Sequence, residues 1–408
     1  MKLVWAALLL AGIATPALAQ SSDLPPPELV VRALDAQPNV TAAEARVDAA
    51  RAHDQALRRG SHEVVVQGSL ARRSIDRGGD HAEFDTSISR AFRLPGKAAL
   101  DRSAGALGIA IADNRMEDAR HQAALTLGEL WYGWLRAGEL HRNALALVEN
   151  QQALVRATDR RVTLRDAARL DFEQASVALA LAQAQAGDAA AERDRARALL
   201  ASRFPDLPLP PEPPQLGEPV EPNEGFVRLQ RLIVERSHEI GAAAGVADRQ
   251  AVLARRARAD RFADPSLGVR LFSERGGEEK GAGLFASLPL AGGHRRALAD
   301  QASAEASAAL AERMQVEREI SGNAAADVAE ARARITAWQA SRAAVQRAEE
   351  SAALSARGQS LGAIDLADLL YAERQANEAR AQEIATRATA ARLVLKLRID
   401  SHTLWIEE

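Results

Sequence analysis

The chain has 408 residues, no cysteine and a formal net charge of −3, with 26% charged and only 4% aromatic residues. The small charge excludes the strongly basic surface that nucleic-acid binding requires, and the lack of cysteine excludes disulfides and thiolate metal sites. Alanine, arginine, leucine and glutamate dominate, which is typical of long helices that pack through small side chains.

The first residues, MKLVWAALLLAGIATPALAQ, have the three parts of a secretory signal peptide. Lys2 gives the positive charge, Leu3–Ile13 form the apolar segment, and Ala17–Ala19 is a small-residue cleavage site. We predict cleavage after Ala19, because the apolar run is too short for a membrane anchor. Gln20 then follows the cleavage site, which excludes lipid attachment to a cysteine there. No later stretch is a candidate membrane-spanning helix, so a membrane span would have to be a closed β-barrel.

The prolines leave two long regions, 96–204 and 290–408, without any proline, as long helices require. Eight of the sixteen prolines lie between Pro205 and Pro222. In the first region, apolar residues recur at helical spacing in two offset stripes, which allows packing against a neighbour on each side. A wide core face in an ordinary helix bundle has the same periodicity. The stripes are formed by Leu127, Trp131, Trp134, Leu145, Val148 and Val155, and by Leu130, Ala137, Leu140, Ala144, Leu147 and Leu154.

Segments of alternating apolar and polar residues predict β-hairpins at 62–92 and 266–290. Their strands of about ten residues have the length and alternation of membrane β-strands, although solvent-exposed amphipathic hairpins look similar. Each hairpin ends in a turn into a helix: Pro95 and Gly96 in FRLPGKAAL, Gly292 and Gly293 in LPLAGGHRRAL.

Each helical region is interrupted once, near 161–170 and near 357–366, and we predict that these are the tips of long helical hairpins. The two halves align: RGGDHAEFDTSISRAFRLPGKAAL pairs with RGGEEKGAGLFASLPLAGGHRRAL, and Asp171 pairs with Asp368, 197 residues later. The predicted parts are a signal peptide (1–19), a first repeat (20–203), a Pro-rich linker (204–225) and a second repeat (226–408).

Four strands cannot close a membrane barrel, which needs at least eight, and lipid does not tolerate an open sheet edge. Either the hairpins lie outside a membrane or several chains pool their strands.

In these features the chain resembles the TolC-like outer membrane efflux family, and most closely its branch that serves heavy-metal efflux pumps of the CzcC and CusC type. The resemblance covers nearly all of the mature chain through the order, spacing and duplication of its motifs. Many relatives carry a lipidated cysteine where this chain has Gln20, and the first tip, VTLRDAARLD, lacks the glycine often found there. The motifs are FRLPGKAALDRSAGALGIA, DPSLGVRLFSERGG, LPLAGGHRRAL and LGAIDLADLLYAERQANEA.

The resemblance implies a mainly α fold with a small β part, assembled as a homotrimer. Twelve strands, four from each chain, would form a β-barrel in outer-membrane lipid, continued by a long periplasmic α-helical barrel that is closed at its tips. The implied function is a passive exit duct of a Gram-negative tripartite efflux system. It would dock onto a periplasmic adaptor (membrane fusion) protein and an inner-membrane pump of the resistance-nodulation-division (RND) type.

The branch implies heavy-metal cations as cargo, with multidrug or organic-solvent efflux as the alternative. A soluble periplasmic coiled-coil adaptor is the alternative from another class of protein. An adaptor usually has one long helical hairpin inside Gly-rich β-domains, so the tandem repeat argues against it.

The sequence holds no enzyme motif: it lacks a GxSxG, a phosphate-binding loop and a dinucleotide fingerprint, and its eight histidines form no HxxxH or HExxH pair. We therefore expect no catalytic residues, no cofactor and no dedicated metal site.

The charged tips are the candidate periplasmic gate, with Asp166 and Asp365 as its main residues and Arg165 and Asp368 beside them. Rings of like carboxylates at a constriction select cations. Solvated loop charge is the simpler alternative, and Asp171 and Asp368 are also placed to cap the returning helices.

Overall fold

The computed structural model describes residues 23–290 and 292–406. The predicted signal peptide and Gln20 lie outside the described residues. The chain is mainly helical with one small sheet, which confirms the predicted fold class.

Both halves of the chain have the same order of elements: a short helix, a longer helix, a β-hairpin, a very long helix and a returning helix. The first half contains α1 (Pro27–Asp35), α2 (Pro38–Arg59), β1 (Val64–Ile75), β2 (Gly79–Ala91), α3 (Lys97–Thr163) and α4 (Arg169–Arg203). The second half contains α5 (Phe226–Glu235), α6 (His238–Ala259), β3 (Ser266–Glu274), β4 (Glu279–Ser287), α7 (Gly293–Ser360) and α8 (Leu366–Asp400).

The long helices α3 and α7 have 67 and 68 residues, and a helix of that length extends for about 100 Å at 1.5 Å per residue. Many of the side chains that these two helices bury are small: four of the six buried residues of α7 are alanines. Small side chains let neighbouring helices approach closely along their whole length. The packing therefore does not depend on large side chains spaced along the rod.

The largest hydrophobic core lies where α1, α2, α3, α4 and the end of α8 meet. Trp134 is fully buried there, and its ring packs edge to face against Trp131 with centroids 5.5 Å apart. A second core joins α5, α7 and α8 around Leu229 and Leu397. The midsection of the molecule thus holds most of the large buried side chains.

The Pro-rich segment between α4 and α5 packs across the midsection and forms hydrogen bonds with α3 and α8. Its Pro213 ring lies against Gly138 of α3, where an added Cβ would be 2.2 Å from the proline Cγ. The Leu216 N–H donates to the Glu139 carboxylate at 3.0 Å, and the Leu216 carbonyl accepts from Arg387 of α8 at 3.2 Å. This segment, although extended, is part of the packed structure.

The four strands form one antiparallel sheet in the order β1-β2-β3-β4. Both hairpins pair internally, and β2 pairs with β3 across the two halves, with Ile88 opposite Val269. Within the described residues, β1 and β4 are the edges of the sheet and each has one side without a partner strand.

The register separates an apolar face from a polar face. We define the apolar row as the four side chains that are opposite one another across the strands, namely Val66, Ile88, Val269 and Leu284. All four are exposed, and Leu284 is 89% exposed. On the other face the row one residue along is Gln67, Ser87, Arg270 and Gly283, and Arg270 there forms an ion pair with Asp85.

None of the helices within residues 23–290 and 292–406 combines the length and apolar character that a membrane span requires.

Candidate functional site: hairpin tips and sheet junctions

The two helical hairpins turn at Leu164–Ala168 and at 361–365, between α3 and α4 and between α7 and α8. Each long helix ends in the same hydrogen-bond motif. The Asp166 N–H donates to the Arg161 carbonyl at 2.8 Å, and the Ala363 N–H donates to the Gly358 carbonyl at 2.8 Å. Each bond closes a wide C-terminal loop that satisfies a free carbonyl of the helix end.

This motif places one residue of each tip in the left-handed region of backbone conformation. In the second tip that residue is Gly362, with φ of 71°, and in the first it is Arg165, with φ of 63°. The glycine that is missing from the first tip is therefore missing at the position that favours glycine most. A side chain with a Cβ is strained in this conformation by about 1 kcal/mol or more.

The four gate candidates are all exposed, but they have different local partners. Asp166 accepts a hydrogen bond from Arg161 Nε at 3.1 Å, and its side chain is 70% exposed. Asp365 is the N-cap of α8: its Oδ1 accepts from the Asp368 N–H at 2.9 Å. The cap is thus Asp365 and not Asp368, while Asp171 in the first tip accepts from the Ala168 N–H at 3.2 Å.

Asp166 and Asp365 do not occupy matching positions. With the offset of 197 residues, Asp166 corresponds to Ala363 and Asp365 corresponds to Ala168. Among the described residues, no hydrogen bond or ion pair joins the two aspartates.

The two tips nevertheless lie side by side within one chain. Ala175 of α4 is fully buried against Leu366 and Leu369 of α8, with Leu154 and Val155 of α3 packed around them. This small core holds both turns at one end of the helices. Its effect is to collect the exposed tip charges of both repeats on one surface.

The opposite ends of the long helices meet the sheet, and the two junctions have different conformations. Gly96 precedes α3 with φ of 87°, a left-handed conformation that favours glycine. Gly292 precedes α7 with φ of −135°, an extended conformation, and Gly293 is the first residue of α7. The two glycine turns are therefore similar in sequence position but not in backbone geometry.

The first junction contains a buried charge cluster that sequence reasoning missed. Lys97, only 1% exposed, donates to Asp264 Oδ1 at 2.8 Å and pairs with Asp260 at 2.9 Å. Asp264 also accepts from the Leu94 N–H at 3.0 Å and contacts His62 at 2.8 Å. The cluster ties the first turn of α3 to the segment that leads into β3.

The environment of Asp264 favours its charged form. Burial raises the pKa of this carboxyl, but hydrogen bonds from Lys97, the Leu94 N–H and His62 outweigh burial and lower the pKa to about 2. One signal in the sequence pointed here: Lys97 follows the Pro-Gly turn, and Asp264 directly precedes Pro265 at the start of a strand. Nothing in the sequence indicated that the two would meet.

No protein-family model and no curated protein sequence matches the chain. Solved structures do match it over most of its length. The CmeC outer membrane channel of Campylobacter jejuni is 15% identical with a TM-score of 0.76, and the match covers 92% of this chain and 84% of that one. The outer membrane protein VceC of Vibrio cholerae is 17% identical with a TM-score of 0.75, covering 92% and 95%.

CusC, a protein that forms a transmembrane channel, is 15% identical with a TM-score of 0.77. The match covers 92% of this chain and 91% of that one. The chain has the TolC-like fold.

We predict that Arg165→Gly stabilises the protein by about 1 kcal/mol, because glycine removes the strain of a left-handed φ at the first tip. The matched change in the second tip, Gly362→Ala, should destabilise it by a similar amount. Denaturant unfolding followed by circular dichroism in detergent measures both. Opposite signs are expected for the two variants; equal signs would contradict the assignment of the strained residue.

For the junction, we predict that Asp264→Asn lowers the free energy of unfolding by about 2–3 kcal/mol, because it leaves Lys97 buried with weaker partners. The folded-state pKa of Asp264 lies below the ordinary value of 3.8, so its contribution is present above pH 4 and is lost as the pH falls from about 4 to about 2.

The difference in stability between wild type and Asp264→Asn should therefore shrink across that pH interval. The exposed Asp76, in the turn between β1 and β2, provides the control variant Asp76→Asn. A constant difference between wild type and Asp264→Asn from pH 6 to pH 2 would rule out the proposed charge effect.

Proposed function

We propose that this protein is the outer-membrane channel of a tripartite efflux system, a passive exit duct without catalytic activity. The observation that carries the proposal is the TolC-like fold, which the chain shares with outer membrane channels over 92% of its length. The sheet supports this proposal independently. Its apolar row is exposed on one face and polar side chains lie on the other, as in a membrane β-sheet with one face toward lipid and the other toward water.

The proposed assembly is a homotrimer with twelve strands. The free sides of β1 and β4 support it, because an unpaired edge in lipid costs several kcal/mol for each unsatisfied backbone group. Three chains would close the sheet by joining β1 of one to β4 of the next. The long helices would then surround a periplasmic conduit, with both hairpin tips of every chain at its far end.

We further propose the location that the signal peptide and the family resemblance imply, and the partners that the resemblance implies. The chain would be exported by its signal peptide, residues 1–19, and would be held in the outer membrane of a Gram-negative bacterium by its strands, without a lipid anchor. Its tips would dock on a periplasmic adaptor protein, and an inner-membrane RND-type pump would deliver the cargo. The two repeats, 20–203 and 226–408, would each provide one tip for docking.

Heavy-metal cations are the proposed cargo, because the sequence motifs resemble those of the metal-efflux branch. Drugs or organic solvents are the alternative cargo for the same fold. A soluble periplasmic adaptor is less favoured than a duct, because the apolar row would be exposed to water in a soluble protein.

A charged substitution should distinguish the two faces of the sheet. We predict that Ile88→Lys, on the apolar row, reduces the amount of protein extracted from outer membranes, because a lysine facing lipid costs up to about 2–4 kcal/mol, depending on its depth in the bilayer. Ser87→Lys lies one residue away on the polar face and should insert normally. Equal membrane yields of the two variants, measured in detergent extracts, would argue against lipid contact by this face.

The first test of the function is single-channel conductance of the purified trimer in a planar bilayer. We expect cation-selective openings, and we expect Asp166→Asn with Asp365→Asn to reduce selectivity and enlarge the conductance. Asparagine is chosen because it removes the charge yet remains a good N-cap at position 365. Asp188→Asn, an exposed change within α4, is the matched control.

Openings that the double variant leaves unchanged would support the duct and discard Asp166 and Asp365 as gate residues. No insertion by a protein shown to be folded and trimeric would instead favour the soluble adaptor.

A further inference from the structure

Three side chains from two helices converge in the midsection, between the tips at one end of the long helices and the junctions at the other. Asp118 and His121 lie one turn apart on α3, and Glu239 lies in the first turn of α6. One ligand atom from each residue, a histidine nitrogen and two carboxylate oxygens, lies within 4.8 Å of the other two. Residues of these types at this separation are potential ligands of a metal ion.

The orientation of His121 is the observation that points to a ligand. His121 is 6% exposed, and its Nε2 lies 2.9 Å from Asp400 Oδ1. The other Asp400 oxygen accepts from Lys396 at 2.6 Å, so this carboxylate is an acceptor and Nε2 is the donor. In the neutral ring, the lone pair then lies on Nδ1.

The Nδ1 atom of His121 is buried, and no residue of the described chain forms a hydrogen bond with it. It lies 4.0 Å from Glu239 Oε1, too far for a hydrogen bond. A buried nitrogen lone pair without a partner is costly, and this one lies on the side of the ring nearer Glu239.

Each of the three side chains is also held by a second residue. Gln122 donates to Asp118 Oδ1 at 3.3 Å, and Ser237 Oγ donates to Glu239 Oε2 at 2.8 Å. Asp400 plays the same part for His121. Metal-binding histidines and carboxylates usually have such outer partners, which fix the ring orientation and leave one atom of each side chain for the ion.

We propose that Asp118, His121 and Glu239 form a binding site for a divalent first-row transition-metal ion of the Zn²⁺ class. Nitrogen and carboxylate oxygen ligands suit such ions, and two carboxylates with a neutral imidazole balance two positive charges. Tetrahedral ligands at about 2.0–2.1 Å from Zn²⁺ are about 3.3 Å apart, so Glu239 Oε1 and His121 Nδ1 have to approach by less than about 1 Å, and no pair of the three ligand atoms by more than about 1.5 Å.

The surroundings leave room to complete the coordination. A cavity of about 160 Å³ adjoins His121 and Glu239, bordered by Asp327, Lys396 and Asp400. It is large enough for several water molecules, which would supply the remaining ligands. The bound ion would link α3 of the first half to the start of α6 in the second half. It would therefore stabilise the midsection independently of the proposed transport function.

A charged imidazolium paired with carboxylates, without a metal, is the rival explanation of the same geometry. Zinc titration of the purified full-length protein in detergent, after treatment with a chelator, separates the two. We expect one Zn²⁺ per chain by isothermal titration calorimetry, and a melting temperature that rises with Zn²⁺ concentration. Co²⁺ in place of Zn²⁺ should give a visible absorption band that reports its coordination.

The variants Asp118→Asn and Glu239→Gln should each weaken Zn²⁺ binding by at least about tenfold while they preserve side-chain shape. Glu117→Gln is the matched control, since Glu117 neighbours Asp118 on α3 but pairs with Arg120 at 3.1 Å. Circular dichroism of each variant verifies that it is folded.

Zinc that binds wild type and all three variants equally would overturn the assignment of the ligands. A folded wild-type protein that takes up no Zn²⁺ at micromolar concentration would overturn the site and favour the imidazolium pair.

Discussion

Backbone hydrogen bonding at the edges of the sheet is the constraint on which the proposed assembly depends. Each chain has only four strands, and β1 and β4 each leave one row of peptide groups without a partner strand in the described structure. The register adds a second demand, because it collects Val66, Ile88, Val269 and Leu284 on one exposed face. Pooling the strands of several chains, with the apolar face toward lipid, satisfies both demands at once.

The helices meet a different physical requirement, which is to remain packed over about 100 Å. Alanine and glycine allow close contact along α3 and α7, while the large side chains are concentrated in the midsection around Trp131 and Trp134. The Pro-rich segment closes this region by packing Pro213 on Gly138. The midsection consequently holds the largest hydrophobic core of the described residues, and the proposed metal site lies beside it.

The two halves share a backbone plan but differ in chemistry at equivalent places. The left-handed tip residue is Arg165 in one half and Gly362 in the other, and the N-cap of the returning helix is Ala168 in one and Asp365 in the other. Lys97 binds Asp260 and Asp264 at the first junction, where the second junction has a pair of glycines followed by His294. In a trimer, these differences would produce two alternating kinds of tip and two kinds of junction.

The element order follows from the sequence alone, because proline exclusion, helical spacing and strand alternation are local properties of the chain. The junction turns and the second tip are marked by glycine and proline, which act on the backbone where they stand, whereas the first tip contains neither residue and is indicated by its alignment with the second repeat. Which side chains meet depends on how the helices and strands pack together. Lys97 and Asp264 are 167 residues apart, and Asp118 and His121 approach Glu239 only because α6 packs on α3.

HxxxH and HExxH motifs place both ligands on one helix, so they do not detect a metal site whose ligands come from two helices. The only local sign of the proposed site in the sequence is the spacing of three residues between Asp118 and His121. The arginine at the left-handed position of the first tip likewise became visible only in the backbone conformation. Local periodicity fixes where helices and strands form, whereas contacts between distant residues depend on how the completed helices pack.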